Sequence, residues 1–99
     1  MLAMAPTPLP TRYVRCKVSL GIFETEFYVS IKESAAAYVD RSFVKVPHIP
    51  EMSDELDGHV LAYLVREDEH NGHALVELSG EAVVGGLRNW VPQSHLMPA

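Results

Sequence analysis

A single cysteine, Cys16, serves the whole chain of 99 residues. One thiol closes no intrachain disulfide and gives no thiolate cluster for zinc, which excludes disulfide-stapled and zinc-ribbon scaffolds. No apolar run approaches the ~20 residues a helix needs to cross a bilayer. No glycine-rich phosphate loop is present, since Gly85-Gly86 alone is too little. Cations are scarce as well: eight Lys and Arg against thirteen Asp and Glu leave a net charge of −5 at pH 7. That field opposes non-specific binding to phosphate backbones and to anionic lipid, so no membrane partner is expected. The opening "MLAMAPTPLPT" lacks both the basic start and the unbroken apolar stretch of a secretory signal. It reads as a flexible arm over residues 1–11, and a cytoplasmic location is expected.

What the sequence has in quantity is alternation. Apolar residues make up 47% of it, enough for one core, so residues 12–99 are expected to form a single domain. "RYVRCKVSL" places Val14, Cys16, Val18 and Leu20 on one face, and "IFETEFYVSI" places Phe23, Thr25, Phe27, Val29 and Ile31 likewise. A two-residue turn at Leu20-Gly21 would set Lys17 opposite Glu24, Arg15 opposite Glu26, Tyr13 opposite Tyr28 and Val14 opposite Phe27. "KESAAAYVDRSFVKV" reads as a turn near 32–36 and a strand over 37–46, with a short helix near 33–41 as the alternative because of its three alanines. "PHIPEMSDELDG" is a loop holding Glu51, Asp54, Glu55 and Asp57, with one helical turn expected at 53–56. "HVLAYLVRE" (59–67) is apolar on both faces. Asn71-Gly72 predicts a tight hairpin to "ALVELS", which would set Arg66 opposite Glu77. "GEAVVGG" then arcs to a last strand that stops at Pro92. No repeat is visible. The expected fold is mainly β: a small antiparallel barrel or rolled sheet, SH3-like, of five or six strands. An α+β fold with the one short helix is the alternative.

Chemistry-bearing residues are few. His70 and His73 would face each other across the Asn-Gly turn beside Asp68 and Glu69, the candidates for a zinc or nickel site. A polar turn tip explains them without a metal. Glu51, Asp54, Glu55 and Asp57 could dock a basic partner or calcium but lack the ligand spacing of a calcium loop, so no cofactor is expected. Tyr13, Arg15 and Lys17 form an aromatic and cationic row of the kind that holds single-stranded nucleic acid, but Glu24 and Glu26 would neutralise it. Cys16, Asp40 and the neighbours Ser94-His95 are the candidates for catalysis. A buried thiol is inert packing, and sequence neighbours do not converge as a nucleophile and base, so no enzyme is expected.

The tail "RNWVPQSHL", with Trp-Val-Pro-x-Ser closing a short β chain, resembles the tail of small uncharacterised bacterial and phage-associated SH3-like β-barrel proteins. The resemblance implies a barrel closed by a tryptophan-bearing last strand, and it implies no activity. The reading that results is a small binding module acting on another protein or on itself. A homodimer is expected through sheet edges or through Val60, Ala62 and Leu64, with Trp90 as a packing anchor or a contact. A nucleic-acid-binding barrel is the alternative, and a histidine-based metal-binding protein a third.

Overall fold

Runs of β-branched and aromatic residues with period two form nine strands in a computed structural model that describes residues 8–99. They are β1 (Thr11–Leu20), β2 (Glu26–Lys32), β3 (Ala35–Asp40), β4 (Val44–Lys45), β5 (Leu56–Asp68), β6 (His73–Leu78), β7 (Glu81–Val84), β8 (Arg88–Pro92) and β9 (Leu96–Pro98). Single 3-10 turns at Arg41–Phe43 and Gln93–His95 lead into β4 and β9. The strands make one antiparallel sheet in the order β7-β3-β2-β1-β5-β6-β8, with β4 added to β5 and β9 to β1. The sheet curls into a half-barrel, so β7, which lies between β6 and β8 in sequence, docks on β3 at the far edge. Of the expected arm, residues 1–7 lie outside the described residues. Thr11 already belongs to β1, and the Pro10 carbonyl accepts the Leu64 N–H at 2.8 Å.

The sheet is built twice. Val14 pairs with Val60 at the centre of the β1–β5 ladder; Val44 of β4 pairs with that same Val60, and Leu96 of β9 with that same Val14. The other ladders follow suit. Val18–Val29 matches Leu64–Val76, Phe27–Val39 matches Ala74–Val91, and Tyr28–Tyr38 matches Leu75–Trp90. A pseudo-two-fold axis therefore passes through the Val14–Val60 pair. It relates β1, β2, β3 and β4 to β5, β6, β8 and β9, with β7 as an insertion in the second unit. Each unit gives its last strand to the first strand of the other. The sequence keeps one trace of this: Tyr38-Val-Asp-Arg-Ser-Phe-Val44 and Trp90-Val-Pro-Gln-Ser-His-Leu96 share an aromatic residue, the Val, the Ser and a branched end. The expectation of no repeat is corrected accordingly.

The inward faces form one core containing Val14, Val18, Phe27, Val29, Val39, Val60, Val76, Leu78 and Val91, all nearly inaccessible. Val60, Ala62 and Leu64 belong to this core. Their cover is the chain itself, which corrects their placement on a partner-facing surface.

The β1–β2 register also differs from expectation. Phe27 pairs with Leu20 rather than Val14, and Lys17 with Ser30 rather than Glu24. Residues 21–25 form a longer loop, held because the Glu26 carboxylate accepts the Ile22 N–H at 3.1 Å and the Glu26 N–H donates to the Phe23 carbonyl at 3.2 Å. Gly21 permits it, since a Cβ there would lie 2.7 Å from Glu26 Cγ. The displacement is an even number of residues, so Val14, Cys16, Val18, Phe27, Val29 and Ile31 keep their inward faces while Phe23 is left outside. The β5–β6 turn is longer than two residues too. Asp68 pairs with His73, Arg66 with Leu75 and Glu77 with Tyr63, after a register shift between Leu64 and Arg66. Only Gly72 has positive φ there, so the type I′ turn, which needs it at both central residues, does not form.

The three alanines lie in β3, fully or almost fully buried, so the helical alternative at 33–41 does not hold. β7 pairs with them along the edge of the sheet, and just beyond it a Cβ on Gly85 would sit 2.0 Å from the Ser34 carbonyl oxygen. The strand expected over 37–46 is broken by the 3-10 turn that Asp40 caps, its carboxylate accepting the Ser42 N–H at 2.8 Å. The helical turn expected at 53–56 is replaced by a turn at 51–54 that runs into β5.

Because both units meet at Val14 and Val60, truncating either should be felt by the whole molecule. Val14→Ala and Val60→Ala are each expected to cost about 2–3 kcal/mol from lost burial plus a cavity. The double variant should deviate from additivity, since the two residues touch. Urea unfolding of the four proteins checks this, and additive losses would place the residues in separate cores.

Candidate functional site

Among the described residues ten large apolar side chains are exposed, and four of them, the most exposed of all, lie on two loops. β1 ends at Leu20 and β5 begins at Leu56, which is the cross-strand partner of Val18, so the loops 21–25 and 46–55 leave the β1–β5 ladder at the same end. On them Ile22 is 69% exposed, Phe23 67%, Ile49 61% and Met52 93%. Both loops are ordered by a carboxylate folded back on its own turn. Glu26 does this for the first. In the second, Asp54 accepts the Glu51 N–H at 3.3 Å while its own N–H donates to the Glu51 carbonyl at 3.0 Å. The two-fold mate of the first loop, Glu69-His70-Asn71-Gly72, is wholly polar. The same hairpin thus ends in an apolar tip in one unit and a polar tip in the other.

A second difference between the units lies on the strand edges. β9 pairs with β1 up to Val14 and β2 pairs from Lys17, which leaves Arg15 and Cys16 without a ladder partner on that side. A cleft of about 440 Å³ opens there. Its two-fold mate on β5 holds only about 50 Å³. The correspondence runs residue by residue: Cys16, Arg15, Lys17 and His95 stand where Ala62, Leu61, Tyr63 and Phe43 fill the mate. The cleft is charged but balanced, with Lys32, Arg15 and Lys17 against Glu33, Glu55 and Asp57. Lys17 is tied to Asp57 by a salt bridge, which holds the Asp57 carboxyl below its usual range and raises the Lys17 ammonium. Lys32 donates to the Trp90 carbonyl on β8 at 3.0 Å, across the gap between the curled edges.

Of the catalytic candidates, Cys16 and His95 line the same cleft, while Asp40 lies apart from them. Cys16 is buried, and burial, with Asp57 nearby, pushes its thiol up to about 12. Asp40 is a turn cap whose carboxyl is held down by the Ser42 hydroxyl and N–H. Ser94 is exposed and His95 half-buried in the 3-10 turn before β9. His70 and His73 do not oppose each other. Asp68 faces His73, and its carboxylate, held below the usual range, accepts from the Asn71 side chain at 2.7 Å. Among the described residues no group of three or more His, Cys, Asp and Glu could hold a metal ion.

The nucleic-acid candidates are rearranged. Tyr13 has the Lys45 ammonium 4.4 Å from its ring centre, and Lys17 is paired with Asp57 rather than Glu24. Glu26 pairs with Asp40 rather than Arg15. Arg15 instead lies in a row with His59 and Lys45 across β1, β5 and β4. Trp90 stands 37% exposed on the outer face with the Arg66 guanidinium 5.4 Å from its ring centre, so it is not a core anchor. Among the described residues no helix is long and apolar enough to cross a membrane.

Comparison with protein-family models, with curated proteins and with solved structures finds no match to this chain. The apolar tip was missed in sequence because Phe23 fits an alternating strand pattern. Only the Gly21 position and the acid Glu26 four residues after Ile22 signalled a capped loop.

The raised Cys16 pKa has a definite sign. The folded chain keeps a proton that the unfolded chain releases above about 9, so stability should fall as pH rises from about 9 towards about 12. Urea midpoints over this range should fall more steeply for the wild type than for Cys16→Ala. Parallel curves for the two proteins would contradict the burial of the thiol.

Proposed function

We propose that this chain is a small non-catalytic binding module that engages another protein through the apolar tip formed by the loops 21–25 and 46–55. The observation that carries this reading is the exposure of Ile22, Phe23, Ile49 and Met52 on two ordered loops at one end of the β1–β5 ladder. Burying one such side chain contributes about 1.5–3 kcal/mol, a gain this fold forgoes at four loop positions at one end of the ladder and that a partner can recover. Ordered turns also lower the entropy lost on association. Small-molecule sites are enclosed and mostly apolar, and two loops that offer exposed side chains suit a protein surface better. The SH3-like tail supplies scaffold on this reading and brings no ligand with it.

Self-association is the weaker form of the proposal. The features that favoured a dimer were the double-sided apolar character of β5 and open sheet edges. Inside the chain, β5 is covered by the other unit, and Lys32 and Pro92 blunt the short β8 edge, while β7 remains an exposed edge strand at the other end of the sheet. A nucleic-acid reading keeps one observation in its favour, the Lys45–His59–Arg15 row. The acid excess of the chain opposes it.

A photo-reactive benzoylphenylalanine at position 23 tests the proposal in cells of the native source, with the same group at His70 on the polar tip as control. The expected result is a discrete, protease-sensitive adduct from position 23 alone. Identical adducts from both positions, or a nuclease-sensitive adduct, would overturn it.

A further inference from the structure

The loops of the apolar tip carry acids and neither a lysine nor an arginine of their own, with Arg41 bonded to the Thr25 and Glu26 carbonyls and Lys45 at their margins. Between Leu20 and Glu26, and between Lys45 and Leu56, these acids are Glu24, Glu51, Asp54 and Glu55. Glu55 belongs to the balanced cleft beside Lys17, which leaves Glu24, Glu51 and Asp54 as the carboxylates around the apolar side chains. The nearest cation on β1, Lys17, is already committed to Asp57. Glu24 and Glu51 are exposed, and Asp54 is only half-buried while it orders its turn.

Resting on the protein-binding reading above, we infer that the partner surface is a cationic amphipathic segment: large apolar side chains to cover Phe23 and Met52, flanked by Lys or Arg to meet Glu24, Glu51 and Asp54. Apolar contact supplies the affinity and the charges select the partner. An acidic or purely apolar surface would leave the carboxylates facing like charge or losing water without compensation. The same carboxylates turn away anionic membranes, which otherwise accept exposed apolar loops. The two-fold mate of the first loop supports the assignment, because its tip has Glu69 and His70 where apolar groups would be needed and offers no second copy of the surface.

The test uses the full chain, labelled with ¹⁵N, and three probes: a Leu/Lys amphipathic peptide, its Leu/Glu counterpart and neutral phosphatidylcholine vesicles. The Leu/Lys peptide should shift the amides of residues 21–25 and 46–55, and its affinity should fall about tenfold or more between low and high salt. Ile22→Ser with Phe23→Ser should abolish the shifts. Glu24→Lys with Glu51→Lys should weaken binding about tenfold while the apolar tip stays in place. All four positions are exposed, so unchanged melting temperatures are expected for both variants. Equal binding of the two peptides at the tip, or vesicle binding there, would overturn the charge assignment and leave an apolar docking tip. Shifts from neither peptide, or shifts confined to other residues, would overturn the tip as a docking site altogether.

Discussion

The pairing of Val14 with Val60 is the contact on which the rest of the structure depends. Each valine is inaccessible to solvent, and each has a strand from the opposite unit on its other side, Leu96 on Val14 and Val44 on Val60. Four strands therefore meet at one point, drawn equally from the two halves of the sequence. A β-hairpin alone is marginally stable in water, and neither half has more than a few strands with which to enclose a core. Crossing the last strands over solves this by making each half the lid of the other. The same crossing explains why β5 is apolar at Val60, Ala62 and Leu64 without needing a partner molecule.

A pseudo-two-fold scaffold also supplies its own comparison. Where the units agree, as in the Val14–Val60 centre and the strand–turn–strand segments ending at Val44 and Leu96, packing requires it. Where they differ, the fold alone does not decide. The β1–β2 loop is apolar and its mate at Glu69–Gly72 polar, although both close the same kind of hairpin. The edge cleft beside Cys16 is open and charged, while its mate is filled by Phe43 and Leu61. Of these two differences the tip is the one that exposes apolar area. The cleft largely balances its own charges, with Lys17 held by Asp57 and Lys32 by the Trp90 carbonyl.

Much of this was legible from alternation alone. The inward positions of Val14, Cys16, Val18, Phe27, Val29 and Ile31 follow from period two, and they survived a register displacement because the displacement was even. Turn lengths were not legible. A carboxylate bonding back to the backbone, as Glu26, Asp54 and Asp68 do, lengthens or shapes a loop through one or two contacts that no periodicity records. The alanines of β3 favoured helix locally and were overruled by pairing with β2 on one side and β7 on the other. The duplication was nearly invisible because packing asks only for an apolar residue of suitable size: Phe27 matches Ala74, and Cys16 matches Ala62. Only the constrained segments around Ser42 and Ser94 kept a common pattern. The tip was hidden for the opposite reason, since Ile22 and Phe23 are residue types that ordinarily signal a core.

The central claim is that the two units are interlocked and open together. Native-state hydrogen exchange measures this directly, amide by amide. The slowest amides of β1 and β5 are expected to exchange with a common free energy equal to that of global unfolding, with β2 and β6 close behind. A second unit that exchanges as a block at clearly lower free energy, while β1 and β2 stay protected, would contradict it.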